Sequence, residues 1–132
     1  MSIDSPPPSA KILFMDDEPD VCRIGRLVLT HLGYDIVIVH DGEAAIREFQ
    51  NARSAGQPFA AALLDLTIRG GMGGIEALQH LQSIDPSFKA VASSGFSDGG
   101  NKRNYADHGF TAIVPKPYEI ATMAAALSQV VG

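Results

Sequence analysis

The chain has 132 residues, a length that holds one domain around one core, and 45% of them are hydrophobic, which places it among globular rather than disordered chains. Its net charge of −5 argues against a nucleic-acid-binding face, which needs a basic surface. No apolar run is long enough to span a bilayer, and the N-terminus lacks the basic, apolar and cleavage-site pattern of a signal peptide. The single cysteine, Cys22, excludes an internal disulfide and fits a reducing, cytoplasmic compartment.

The first segment, residues 1–10, carries the consecutive prolines Pro6, Pro7 and Pro8, a composition that favours an extended, poorly packed stretch. It reads as a linker remnant of a longer protein, with a short native tail as the other reading, and a single domain over 11–132 follows it. Ile12 to Met15 is a short apolar run that ends at the acidic pair Asp16-Asp17. Pro19 suits the first turn of a helix, after which Val21, Ile24, Val28 and Leu32 keep helical spacing until Gly33. Cys22 on this helix reads as a small core residue. Ile36 to Val39 is a β-branched run, and Asp41 caps a second helix carrying Ala45, Ile46 and Phe49. Ala60 to Leu64 is a third run that ends at Asp65.

A glycine-rich loop, Gly70 to Gly74, leads into a third helix with Ile75, Leu78 and Leu81, which stops before Pro86. Ala90 to Ser93 is the fourth strand. Gly99 to Asp107 is a weak fourth helix with few apolar anchors. Ala112 to Val114 is the fifth strand, and Ile120, Met123, Leu127 and Val130 mark a fifth, amphipathic helix. The result is a (βα)₅ alternation whose strands are nearly continuous apolar runs, as strands covered on both faces should be. Right-handed crossovers then make a doubly wound α/β sandwich, and such sheets bind ligands beyond the strand C-termini.

At that edge the topology gathers Asp16, Asp17, Asp65, Ser94 and Lys116. Clustered carboxylates oppose one another's ionisation, and a divalent cation relieves the repulsion. Mg²⁺ prefers oxygen ligands and pairs with phosphate, so the pattern points to phosphoryl chemistry. Any one of these residues has a plainer reading, since acidic residues are common at strand-to-helix turns. The five together at the right strand ends do not.

The ordered motifs Met15-Asp16-Asp17-Glu18, Leu64-Asp65-Leu66, Ser93-Ser94-Gly95 and Lys116-Pro117 resemble those of response-regulator receiver domains of two-component signalling. The resemblance covers about residues 11–131. It implies the flavodoxin-like fold, a five-stranded parallel sheet in strand order 2-1-3-4-5. It further implies that Asp65 accepts a phosphoryl group from a phosphohistidine. Asp16, Asp17, Asp65 and the Thr67 backbone carbonyl would hold Mg²⁺ (or Mn²⁺). Lys116 would pair with Asp65 and then with the phosphoryl oxygens, and Ser94 would act as the switch hydroxyl. Ser93 competes for that role, but alternation along the strand turns it to the opposite face. Family members commonly carry a cis peptide at the Lys116–Pro117 step.

Several positions depart from the family pattern. The second switch residue, usually aromatic, is Ile113, with Phe110 and Tyr118 nearby as substitutes. The positions that tune phosphate loss are Thr67 and Phe96, and the bulk of Phe96 suggests restricted access for water. Arg69 stands where most receivers have proline, and the glycine loop around it is similar to that of receivers attached to hybrid sensor histidine kinases. His31, His40, His80 and His108 have no metal-ligand spacing and read as surface residues.

The expected function is therefore a phosphorelay switch rather than a turnover enzyme, catalysing only its own phosphorylation and dephosphorylation. Its expected partner is a histidine kinase or a histidine phosphotransfer domain. Its output face is the fourth helix, fifth strand and fifth helix, where a homodimer remains open. No contact with nucleic acid or directly with a membrane is expected, although a parent sensor kinase could tether it. A haloacid-dehalogenase-like phosphatase is one alternative, but Thr67 replaces the second aspartate of its Asp-x-Asp-x-Thr pattern. A pseudo-receiver binding module is the other, but the acidic pair, the phosphoacceptor and the lysine are all present.

Overall fold

The computed structural model describes residues 10–95 and 104–131. They form β1 (Lys11–Met15), α1 (Pro19–His31), β2 (Asp35–Val39), α2 (Gly42–Ser54), β3 (Ala61–Asp65), α3 (Gly74–Ile84), β4 (Ala90–Ser94), β5 (Ala112–Pro115) and α4 (Ile120–Val131). The sheet has five parallel strands in the order β2-β1-β3-β4-β5. Parallel pairing requires crossover connections, and α1, α2 and α3 supply the first three of them, on both sides of the sheet.

Strand alternation divides the apolar residues between two cores. Leu13, Met15, Ala62, Leu64, Ala90 and Ala92 pack with Phe49, Leu78 and Leu81 of α2 and α3. Ile12, Phe14, Ala61, Leu63, Val91 and Val114 pack with Leu29, Met123 and Leu127 of α1 and α4. Cys22 is buried in α1, as a small core residue should be. The central strands are apolar up to their C-terminal ends because neither face meets water.

Capping fixes where the chain turns back toward the sheet. Asp41 accepts a hydrogen bond from the Ala44 amide at 2.8 Å and so caps α2. Entry into α3 needs glycine. A Cβ on Gly73 would lie 2.7 Å from the Leu66 carbonyl oxygen, and one on Gly74 would lie 2.5 Å from the Asp65 carbonyl oxygen. Both contacts are with backbone at the end of β3, which cannot swing aside.

One expected element differs. Of the weak helix over Gly99 to Asp107, residues 99–103 lie outside the described residues, and 104–109 form turns. Bonds from Asp107 N–H to Asn104 O and from Gly109 N–H to Ala106 O, both 3.0 Å, close them. Gly109 ends the segment at φ +96°, a left-handed conformation that terminates a helix. Tyr105 is half-buried against the α2–α3 core.

Candidate functional site

The two-residue pleat of the sheet aligns the charged side chains. Asp65 continues the series Ala61, Leu63 on β3, in register with Ser93 on β4, and Ser93 is in register with Val114 on β5. Asp16 follows Phe14 by the same step of two, and Lys116 follows Val114 likewise. Asp16, Asp65, Ser93 and Lys116 therefore all lie on the α1–α4 side of the sheet. The Lys116 Nζ sits 2.9 Å from Asp16 Oδ2 and 3.0 Å from Asp65 Oδ2. Asp16 is fully buried and Asp65 nearly so, so a single ammonium serves two desolvated carboxylates.

The electrostatics follow from that crowding. Burial, reinforced by the charge of Asp16, pushes the Asp65 carboxyl up to about 7, although Lys116 and the Thr67 amide pull the other way. Burial works against the charge on Lys116, yet the Asp16 and Asp65 carboxylates hold its pKa above the ordinary lysine value. Burial also raises the Cys22 thiol, aided by the charges of Asp16 and Asp17. Its Sγ donates to the Asp16 carbonyl at 3.4 Å. The ammonium reaches Asp16 Oδ2 at close range but outside hydrogen-bond alignment, so that buried oxygen has no aligned donor among the described residues. At 2.9 Å the two charges attract strongly whatever the angle between them, because ion pairing depends on separation more than on angle.

The rim of the site is built from loops. Asp16 Oδ1 accepts from the Glu18 amide at 2.9 Å, and Asp65 Oδ1 accepts from the Thr67 amide at 3.3 Å. Asp17 Oδ2 accepts from the backbone N–H of Arg69 at 3.1 Å, tying the β1–α1 turn to the β3–α3 loop. His40, at the end of β2, donates from Nδ1 to the Asp16 carbonyl at 3.1 Å. One carboxylate oxygen from each of Asp16, Asp17 and Glu18 lies within 4.8 Å of the others. The donors are all oxygen and the local charge is strongly negative, as a hard divalent cation requires. In this arrangement Glu18 joins the acidic pair, while an oxygen of Asp65 is held by Lys116.

The two serines of β4 lie on opposite sides of the sheet, but it is Ser93, expected to face away from the site, that lies on the Asp65 side, because Asp65 pairs in register with Ser93 rather than Ser94. Ser93 Oγ and Tyr118 Oη form a buried hydrogen bond of 2.7 Å on the Asp65 side of the sheet. Ser94 is buried on the other side, and its Oγ has no hydrogen-bond partner among the described residues. Ile113 shares the Ser94 side, half-buried against the α2–α3 core. Phe110 is buried in that core as well. The Lys116–Pro117 peptide is cis. The tuning position Phe96 lies outside the described residues.

Residues 12–128 match the response regulator receiver domain family, and the chain belongs to it. The transcriptional regulatory protein KdpE of Mycobacterium tuberculosis is 30% identical over 81% of this chain and 44% of its own length. The sensor protein TorS of Escherichia coli is 30% identical over 81% of this chain and 11% of its own length. The chain thus spans less than half of these relatives. A receiver domain protein from Clostridium thermocellum superposes with a TM-score of 0.80 at 19% identity, covering 92% of this chain and 94% of that one. A receiver protein from Sinorhizobium medicae gives 0.77 at 24% identity, covering 93% and 94%. These structures share the fold and the strand order of the sheet. No helix among the described residues is long and apolar enough to cross a membrane.

Three features of the site escaped the sequence reading. The Arg69–Asp17 bond uses a backbone donor, which has no residue signature. The Ser93–Tyr118 bond joins residues on two different segments. His40 read as an isolated surface histidine, and its place beside Asp16 follows only from β2 pairing with β1.

Proposed function

We propose that this chain is a phosphoacceptor switch in which Asp65 takes a phosphoryl group from a phosphohistidine. The observation that carries this reading is the Lys116 ammonium, held 3.0 Å from Asp65 beside a second buried carboxylate. An Asp65 carboxylate oxygen attacks phosphorus and a P–O bond forms. The P–N bond breaks, and its electron pair returns to the imidazole, which takes up a proton. Lys116 then turns from the carboxylate to the phosphoryl oxygens, and the Ser94 hydroxyl, buried on the α2–α3 side at the end of β4 without a described partner, must swing round the strand end to donate to them. Asp16 and Asp17, with Asp65, the Thr67 carbonyl or Glu18 beside them, would hold Mg²⁺, which when bound would supply charge neutralisation for the transfer. Little else is asked of the protein in phosphoryl transfer than positioning and charge.

The partner is a histidine kinase or histidine phosphotransfer domain. A cleft of about 310 Å³ beside Lys116, lined by Val21, Ile24, Pro117 and Tyr118, gives a histidine-bearing surface an apolar approach to the site. Output passes through the face around the 99–107 segment, β5 and α4. The domain belongs to a hybrid sensor histidine kinase, with a stand-alone regulator as the other context, and it works in the cytoplasm. The phosphatase alternative is disfavoured by Thr67 and by the receiver fold.

Intact-protein mass after incubation with acetyl phosphate tests the reading. The expected result is a Mg²⁺-dependent gain of one phosphoryl group that Asp65→Asn abolishes. A gain that survives the substitution would place the nucleophile elsewhere. No gain from acetyl phosphate or from a phosphorylated histidine phosphotransfer protein would sink the phosphoacceptor reading.

A further inference from the structure

Lys116 does its work from a short turn that leaves β5, and the turn is fastened to β4 at two points. The Lys116 amide donates to the Ser94 carbonyl at 2.9 Å. Two residues on, the Tyr118 hydroxyl meets Ser93 Oγ at 2.7 Å. Ser93 has no exposed surface and stands in register with Asp65 on the same side of the sheet. The second fastening therefore lies directly alongside the nucleophile.

The chemistry of this contact is unusual for a packing contact. Burying a hydroxyl is unfavourable unless it is bonded, and phenylalanine with alanine would fill the same space without that penalty. The Tyr118 ring already has its own anchor, an edge-on contact with Phe14 at 6.1 Å between centroids. Phe14 in turn precedes Asp16 by two residues on β1. The ring thus packs against the strand that presents one carboxylate, and the hydroxyl grips the strand beside the other. Between them the main chain of Lys116 is fixed relative to both of its carboxylate partners. That matters because a lysine ammonium is a point charge on a flexible stem, with no fork geometry to align it.

We propose that Tyr118, through its hydrogen bond to Ser93, is the positioning residue for Lys116 in phosphoryl transfer. The proposal rests on the phosphoacceptor reading and adds a specific residue to it. The Tyr118 hydroxyl bonds to Ser93 rather than to the reacting carboxylate. It acts by setting where the ammonium stands.

The test uses Tyr118→Phe, Ser93→Ala and the double variant in the full chain. Phosphorylation rates are measured by intact mass across acetyl phosphate concentrations, alongside thermal midpoints and the ¹⁵N resonances of the Lys116 amide and Nζ. Tyr118→Phe should lower the maximal rate by between about tenfold and a hundredfold, because small misplacements of a catalytic group have effects of that order. The donor concentration at half-maximal rate should hold steady, and both Lys116 resonances should move. The double variant removes both hydroxyls, so its thermal midpoint should return toward the parent while its rate stays low. Recovery of rate together with stability in the double variant would reduce the pair to a structural contact and overturn the proposal. So would a parental rate in Tyr118→Phe with unmoved Lys116 resonances. If the parent itself takes no phosphoryl group, the phosphoacceptor reading fails, and the Lys116 resonances alone decide the tie: movement supports it and constancy overturns it.

Discussion

The two sides of the sheet are built from the same strands but do different work. On the α1–α4 side each central strand ends in a polar or charged group: Asp16, Asp65, Ser93 and then Lys116. On the α2–α3 side the same strands end in Met15, Leu64, Ser94 and the residues around Ile113. The first side holds an ion pair within 3.0 Å and a paired set of hydroxyls. The second holds one buried hydroxyl with no described partner. A pleat with a period of two separates fixed charge from the group free to respond to it. A slip of one residue in any central strand would mix the two sides.

The largest expected effect comes from Lys116→Ala. It leaves Asp16 and Asp65 buried without their cation, and unfolding in urea at pH 8 without Mg²⁺ should show a loss of about 3 kcal/mol. Saturating Mg²⁺ should restore most of that loss. If the loss is absent, the charged side is better solvated than its burial implies.

Asp65→Asn should act in the opposite direction. The Asp65 carboxyl is raised from 3.8 to about 7. Between those values the folded chain keeps a proton that the unfolded chain has released, so stability falls as pH rises through this window. The substitution removes that penalty. It should stabilise the chain by about 2 kcal/mol at pH 8, and the gain should disappear near pH 3, where the parent is largely protonated in both states. Thermal melts at the two pH values measure it. A gain of the same size at both would mean that the effect has nothing to do with ionisation.

The smallest effect sharpens the comparison most. Ser94→Ala removes a hydroxyl that has no described partner and should change stability by less than about 0.5 kcal/mol. Ser93→Ala, one residue away on the other side, leaves Tyr118 unpaired and should be destabilising by about 1–2 kcal/mol. Equal values in chemical denaturation would erase the distinction between the sides.

Most of this arrangement can be read from the chain itself. The five strands are legible because each is buried on both faces and so appears as an unbroken apolar run. Asp16, Asp65 and Lys116 are legible because each follows such a run directly. Alternation does put Ser93 and Ser94 on opposite faces, but the faces are reversed from the expectation, with Ser93 level with Asp65 and Ser94 on the α2–α3 side. Residues 104–109 are harder: the composition suggests a weak helix with few apolar anchors, whereas the described part forms turns that Tyr105 and Phe110 hold to the core. Tyr118 read as a substitute for an aromatic at Ile113. It lies instead on the other side of the sheet from Ile113, bonded to the serine that the switch argument set aside. Long-range side-chain partnerships of this kind depend on strand register and loop path, which local patterns do not encode.

The bond from Arg69 to Asp17 has a consequence for how this site tolerates change. Its donor is the main chain, so alanine, lysine or serine at position 69 would supply the same N–H, and a scan of side chains would find the position silent. Proline alone lacks the hydrogen. As far as this bond is concerned, position 69 tolerates a change of charge or size and excludes a single residue, proline.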